Sequence, residues 1–523
     1  MIVKALVKPN SYYDSLVLMR ISTQVLGLQG VVDATVMMGT EQNKHSIGNA
    51  SLLIPEIRDT GPNDLFFVVA AESEVEAQSA LDFAEQALVM GRGPQAVPGA
   101  VRFGTLDAAL RQQPGSNLAI ISIPGNYVKR EALKALTAGL NLLIFSDNVP
   151  MEDEIELKSV AQERGLLVMG PDCGTAIIGG AALAFANAVR PGAIGLVGAA
   201  GTGIQEVSCL IDHLGQGVSQ AIGTGTHDVA EAVGGITMIQ GLRRLDADPN
   251  TEVLTIVSKP PDPVVVEKVM AVVKTCRKPV VVNFLGGDPA IIAAGGGIVA
   301  RTLEDTAVTA VSILSGQTEE AVREDLSVEA SDLTAQAETA QASLVPTQKY
   351  VRGLFSGGTF CNEATMILAD LVDAVYTNGS IKNAAQLADA RQSIAHTCVD
   401  LGEDIFTVGK PHPMLEPSLR RERILQEAAD PQTAVILLDI PIGYGVHPNP
   451  GGLLAQYIAE AKEVARSEGR ELPVVASVCG VDADPQDRAT QMNQVREVGA
   501  MVMPSNARAT YLAAQIVSGR SER

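Results

Sequence analysis

The residues best suited to chemistry in this chain occur as two matched sets. Ala200, Gly201, Thr202 and Gly203 follow the short apolar run Gly195–Gly198. Ser356, Gly357, Gly358 and Thr359 follow Gly353-Leu354-Phe355 in the same way. In each set a glutamate stands four residues after the threonine, Glu206 in the first and Glu363 in the second. Apolar residues then recur at helical spacing, Val207, Leu210, Ile211 and Leu214 in one, Met366, Leu368 and Leu371 in the other. Each set therefore reads as strand, glycine turn and helix N-terminus. Glycine lets a backbone approach an anion closely, and the unpaired N–H groups of a first helical turn attract negative charge along the helix dipole. The chemistry this predicts is phosphate binding. The alternative is plain capping, in which threonine and glutamate only satisfy the helix start. Repetition favours the anion site, and a multivalent anion needs several donors, so the two turns are expected to face each other. Neither is a Walker loop or a dinucleotide fingerprint, since the lysine and the spaced glycines are missing.

Other candidates stand at strand ends, where open α/β sheets bind ligands. Lys259 follows the run Val253–Ser258 and could neutralise a bound anion, as could Lys410. The turns holding Asn126, Asp147 with Asn148, and Asp172 with Cys173 close three successive predicted strands. His227, His412 and His447 fall in predicted loops, where a solvated or structural histidine competes with a chemical one.

The elements that must position these residues follow from composition. Hydrophobic residues make up 46%, charged residues 19% and aromatics 3%, with 49 glycines and no tryptophan. Cores of Ala, Val, Ile and Leu suit parallel sheets covered by helices. A formal charge of −21 excludes nucleic acid and anionic membranes as natural partners. The six cysteines show no C-x-x-C and no metal spacing, so no tightly bound metal is expected. Isolated thiols and an N-terminus without a signal-peptide pattern point to the cytoplasm.

The expected fold class is α/β, with several doubly wound, Rossmann- or flavodoxin-like parallel sheets after a small ferredoxin-like α+β module. Residues 1–100 form that module, in the order βαββα. Residues 101–190 read as a Rossmann-type domain of regular βαβ units, and residues 191–316 as a flavodoxin-type domain whose last predicted strand is Ala307–Val311. Residues 317–346 have linker composition with partial helix. Residues 347–523 read as a second flavodoxin-type domain.

Residues 103–315 resemble the α subunit of succinyl-CoA synthetase and its ADP-forming acyl-CoA synthetase relatives, through the GPDC turn, the Gly-Thr turn with its Glu, and AIIAAGGG. Residues 350–520 resemble the C-terminal domain of the β subunit. Over its whole length the chain is similar to FdrA proteins, on GTEQNK, IFSDNV, LLVMGPDCGT, GTGIQE, VSKPP and GKPHPM. The synthetase resemblance implies one phosphate between the two turns, with Glu206 as supporting carboxylate. It also implies possible CoA contact at Asn126, Asp147, Asn148, Asp172 and Cys173. The synthetase's phosphohistidine segment is missing, since Leu285-Gly286-Gly287-Asp288-Pro289 runs directly into Ala290, and there is no ATP-grasp module.

The FdrA resemblance implies a subunit of oxamate carbamoyltransferase in allantoin breakdown, converting oxalurate and phosphate to oxamate and carbamoyl phosphate. The catalytic candidates are then Glu206, Lys259 and His412, and the partners are other subunits of one oligomeric complex. A succinate-CoA ligase-like subunit working with a separate ATP-grasp partner is the alternative. A non-catalytic scaffold binding CoA or a phosphometabolite is the third reading.

Overall fold

In a computed structural model of the chain, residues 2–518 are described apart from 12, 14, 41–42, 45–46, 49–51, 62, 91–102, 328–332, 380 and 408–410. Lys410 lies outside the described residues. The chain packs as two units, Met1–Ala109 with Asp404–His412, and Leu110–Glu403 with Pro413–Arg523.

In the first unit Leu65–Ala71 is the central strand, paired antiparallel with Ile2–Lys8 on one side and Val31–Met38 on the other. The helices Ser15–Leu26 and Glu74–Met90 cover one face through Leu18, Ile21, Val25, Ala77 and Leu81. Ile47, Leu52 and Ile57 cover the other face against Phe66 and Val68. A strand buried on both faces must be apolar throughout, which is why Leu65–Ala71 shows no alternation.

The second unit holds three sheets. Leu118–Ile121, Asn141–Ile144 and Val168–Met169 form a parallel sheet of three. The next sheet runs Ile298–Val299, Val280–Phe284, Val253–Ser258, Pro191–Gly198, Val218–Gly223, Thr175–Ile178 and Ala181–Ala184. Its first five strands are parallel. The chain moves from Pro191–Gly198 to one side and then returns to build the other, so strand order reverses between Pro191–Gly198 and Val253–Ser258. A crevice outside the carboxyl ends is expected at that reversal. The third sheet is parallel throughout, in the order Ala385–Gln386, Val375–Thr377, His396–Asp400, Tyr350–Phe355, Thr433–Pro441, Val474–Cys479, Met501–Met503. The helices Gly201–His213, Leu303–Ser315, Gly358–Leu371 and Asn506–Val517 share one continuous apolar core with both large sheets.

Three local expectations change. Ala307–Val311, expected as a strand, lies inside the helix Leu303–Ser315. A short apolar run fits either element, and here the Thr302–Asp305 capping box fixes the helix start. Residues 317–346 carry two helices, Glu319–Ser327 and Leu333–Ser343, in keeping with the partial helix expected there; what differs from a linker is that Val322, Leu326, Ala337 and Leu344 are buried in the core. The hairpin Thr175–Ala184, within the stretch expected to close the 101–190 domain, pairs instead with Val218–Gly223 of the next sheet.

Candidate functional site

Strands Pro191–Gly198 and Tyr350–Phe355 each end in a turn that opens a helix, Gly201–His213 and Gly358–Leu371. The two turns meet. A methyl group added at Gly357 would lie 2.4 Å from Thr202 Cγ2, and one added at Gly203 would lie 2.8 Å from Thr359 Cγ2. Only hydrogen side chains permit that approach. Among the described residues, the backbone N–H groups of Gly201, Thr202, Gly203, Gly358 and Thr359 have no hydrogen-bond acceptor, nor do the hydroxyls of Thr202 and Thr359. Two helix N-termini thus bring their unpaired donors and dipoles to one place.

Ser356 behaves differently from its expected role beside Gly357. Its N–H donates to both carboxylate oxygens of Asp439 at 2.9 and 3.1 Å, and its hydroxyl donates to Asp439 Oδ2 at 2.7 Å. Asp439 in turn takes a buried bond from Arg420 at 2.9 Å. Ser356 is therefore committed to the turn's own scaffold. Ala200 caps the first helix with its backbone, accepting from Ile204 N at 2.8 Å.

Lys259 follows Val253–Ser258 at the reversal of strand order, half-buried and without an ion pair among the described residues. That strand runs beside the first turn, since a methyl at Gly203 would touch Val257 Cγ1 at 2.9 Å. Burial raises the pKa of both Asp172 and Asp400, and the charge of Lys259 opposes part of that rise in each. Asp400 was not singled out from the sequence. It ends the strand His396–Asp400, neighbour to Tyr350–Phe355, and a methyl at Gly358 would lie 2.8 Å from its Oδ2. Burial dominates its environment and pushes its pKa up to about 7, against a bond from Gly402 N–H. A protonated carboxyl donates a hydrogen bond, whereas an ionised one only accepts.

Around Asp172 a second cluster forms. Gly225, at φ +84°, lets two loops interlock, since a methyl there would stand 2.1 Å from Pro171 O. Thr226 then donates its hydroxyl hydrogen to Asp172. Desolvation raises Asp172, while Thr226, Lys259 and His227 oppose the rise. Cys173 beside it is buried, its thiol pushed up to about 12 by desolvation, with Sγ directed at Thr175 O and Gly223 O. Its side chain is spent on holding the two loops together rather than on a ligand. Asn126, Asp147 and Asn148 are exposed at the ends of the smaller sheet. There the backbone of 147–148 packs on Gly125, leaving no room for a methyl group.

The two glutamates of the repeated pattern point into the interior. Glu206 Oε1 accepts from Asn506 N at 3.0 Å, and Glu363 accepts from Asn506 Nδ2 at 2.8 Å and Leu303 N at 2.6 Å. Burial raises Glu206 to about 7 and Glu363 to about 8. They tie the helices of the two turns to the start of helix Asn506–Val517. The bond of Glu206 is thus made to a helix terminus, not to a group of the crevice. His412 groups with the first unit, whereas the other described candidates belong to the second. Burial pulls His412 down to about 4, and it lowers His213, His396 and His447 as well.

Sequence profiles of three families match. The CoA-ligase profile matches residues 354–516, which include the second turn and Asp400. The CoA binding domain profile matches residues 189–286, which include the first turn and Lys259. Residues 1–97 match "AllF, heavy metal-associated domain". Those residues contain no cysteine, so the soft thiolate ligands favoured by heavy metals are missing. Among the described residues no group of three His, Cys, Asp or Glu could hold a metal ion. No described helix is long and apolar enough to cross a membrane.

The uncharacterized protein YahF of Escherichia coli K12 is 43% identical over 517 residues, covering 99% of both chains. The α subunit of ADP-forming succinate–CoA ligase from Staphylococcus epidermidis is 24% identical over 206 residues, 38% of this chain and 66% of its own. Among solved structures, PH0766 from Pyrococcus horikoshii OT3 is similar at 16% identity and a TM-score of 0.31, over 77% of this chain and 83% of that one. Fold and sequence define an α/β protein of the acyl-CoA synthetase, succinate–CoA ligase-like class. Within that class the chain belongs to the FdrA family, together with YahF.

Proposed function

We propose that this chain is a subunit of an enzyme that moves an acyl-type group between phosphate and an acceptor, in the manner of an acid–thiol ligase. The observation that carries this reading is the meeting of two helix N-termini, with unpaired donors at Gly201–Gly203 and Gly358–Thr359 and with Lys259 at the adjoining strand end. An acyl phosphate held there has its phosphate oxygens neutralised by backbone N–H groups and an ammonium. The acceptor attacks the carbonyl carbon, the bond from that carbon to the phosphate oxygen breaks, and the cradle stabilises the departing phosphate. Such a site works by orientation and fixed dipoles and requires no nucleophile from the protein. CoA is the acceptor that the family profiles favour. Nucleotide chemistry, where the reaction needs it, falls to a partner subunit. The test is turnover of acetyl phosphate by the assembled complex, with and without CoA. CoA-dependent thioester formation supports the ligase form, and no phosphate-linked turnover of any kind defeats the proposal.

A second reading is favoured by one specific observation. Asp288 caps the helix Pro289–Ala294 directly after Gly286-Gly287, where the resembling synthetases carry their phosphohistidine segment. A site without that carrier suits direct transfer, with phosphate attacking the carbamoyl carbon of oxalurate and oxamate leaving. Carbamoyl phosphate formed from oxalurate and phosphate, independent of ATP and CoA, would select this form over the first.

A further inference from the structure

His227 stands on a platform that the proposed reaction has not yet used. Its ring is exposed, and its Nδ1 lies 3.1 Å from Oε2 of a fully buried glutamate, Glu154. Glu154 is a pure acceptor when ionised, so Nδ1 carries the hydrogen and the lone pair of Nε2 faces outward. Beneath it, buried Lys158 pairs with Glu154 at 2.7 Å and with Asp228 at 2.8 Å, and donates to Thr224 O at 3.0 Å. The platform is rigid. Asp228 accepts from Thr237 N at 3.0 Å and Met238 N at 2.9 Å, at the start of helix Ile236–Ala247. Thr226, the preceding residue, is bonded to Asp172. Asp172 feels the charges of both His227 and Lys259, and Asp147 acts on it as well. The ring therefore sits at the carboxyl end of Val218–Gly223, next to the strand that delivers the first turn.

We infer that His227 is the acid–base residue of this crevice, with Glu154 as the positioning residue that fixes its tautomer. The inference rests on the group-transfer reading above. Nε2 takes the proton of the acceptor as the acceptor bonds to the carbonyl carbon. It returns that proton to a phosphate oxygen as the carbon–oxygen bond to phosphate breaks, so protons and electron pairs balance. His227 forms no covalent intermediate in this scheme.

The test uses the full chain in its complex. His227→Asn keeps a donor toward Glu154 but has no basic nitrogen. Its turnover of acetyl or carbamoyl phosphate is expected to fall about 10²- to 10⁴-fold, with binding of inorganic phosphate unchanged. Glu154→Gln should shift the lower limb of the pH–rate profile, a readout that a purely structural role leaves in place. As an activity-free arm, diethyl pyrocarbonate should modify His227, and inorganic phosphate should protect it. If His227→Asn retains turnover and its pH profile while the wild type binds phosphate, this inference is wrong and the group-transfer reading stands. If the wild type neither binds phosphate nor turns over either acyl phosphate, the reading fails and takes the inference with it.

Discussion

Replacing Gly357 by alanine tests whether the two turns meet as the structure has them. Gly357 has φ −143°, extended backbone that alanine adopts freely, so strain in the turn itself is not the issue. The added methyl would stand 2.4 Å from Thr202 Cγ2, 2.8 Å from Thr202 Oγ1 and 3.0 Å from Thr202 Cβ. Overpacking of this kind costs about 1–3 kcal/mol, and loss of glycine as a cap adds roughly 0.5 kcal/mol. Thr202→Ala removes the two closest atoms and by itself costs about 1 kcal/mol, because Thr202 is nearly buried and its methyl packs at the junction. Combining the two relieves the clash, so the double variant should be more stable than the sum of the singles by about 1–2 kcal/mol. Thermal unfolding of the four proteins measures this, at roughly 1–2 °C per kcal/mol for a unit as large as Leu110–Glu403 with Pro413–Arg523. Additivity within about 0.5 kcal/mol would refute the contact.

Glu206 and Glu363 both have pKa values raised by burial, to about 7 and about 8. A raised carboxyl contributes stability that is complete below its unfolded pKa and is lost as pH rises through the folded value. Melting temperature should therefore decline between about pH 4.5 and 8, and Glu206→Gln should flatten part of that decline. An unchanged slope counts against the buried assignment. Asp400, raised to about 7, should repel an anion at the cradle once ionised. Sulfate, whose charge is constant over the range, should bind more weakly above pH 7 than below it, and Asp400→Asn should remove that dependence; a wild-type affinity independent of pH contradicts this. Lys259→Met should weaken sulfate binding about 10-fold and reduce its salt sensitivity, and equal affinities would place Lys259 outside the site. Incubation with ATP or acetyl phosphate should leave no acid-labile phosphohistidine if transfer is direct as proposed; stable label mapped to His227 would show a covalent carrier instead.

The strand–turn–helix units were legible because Val/Ile/Leu runs and glycine turns are local signals, and the repeat of Gly-Thr after an apolar run pointed to both turns. The partners of those residues were not legible. Glu206 meets Asn506 across 300 residues, and its commitment to a helix terminus cannot be read from its spacing to Thr202. Ser356 looks like a phosphate ligand in sequence, yet Asp439, 83 residues on, takes its N–H and its hydroxyl. Glu154, 73 residues before His227, sits in an ordinary helix pattern and gives no sign that it supports a histidine. Ala307–Val311 shows the limit of periodicity itself, since five apolar or small residues fit a buried strand and a buried helix equally well.

The central claim is that both turns bind one tetrahedral oxyanion. Its most direct test is the anomalous difference map of crystals grown with arsenate, a phosphate isostere whose heavy atom locates itself. The account predicts one peak per chain, within hydrogen-bond reach of N–H groups from both Gly201–Gly203 and Gly358–Thr359 and close to Lys259. Arsenate peaks elsewhere on the chain, with none between the two turns, would contradict it.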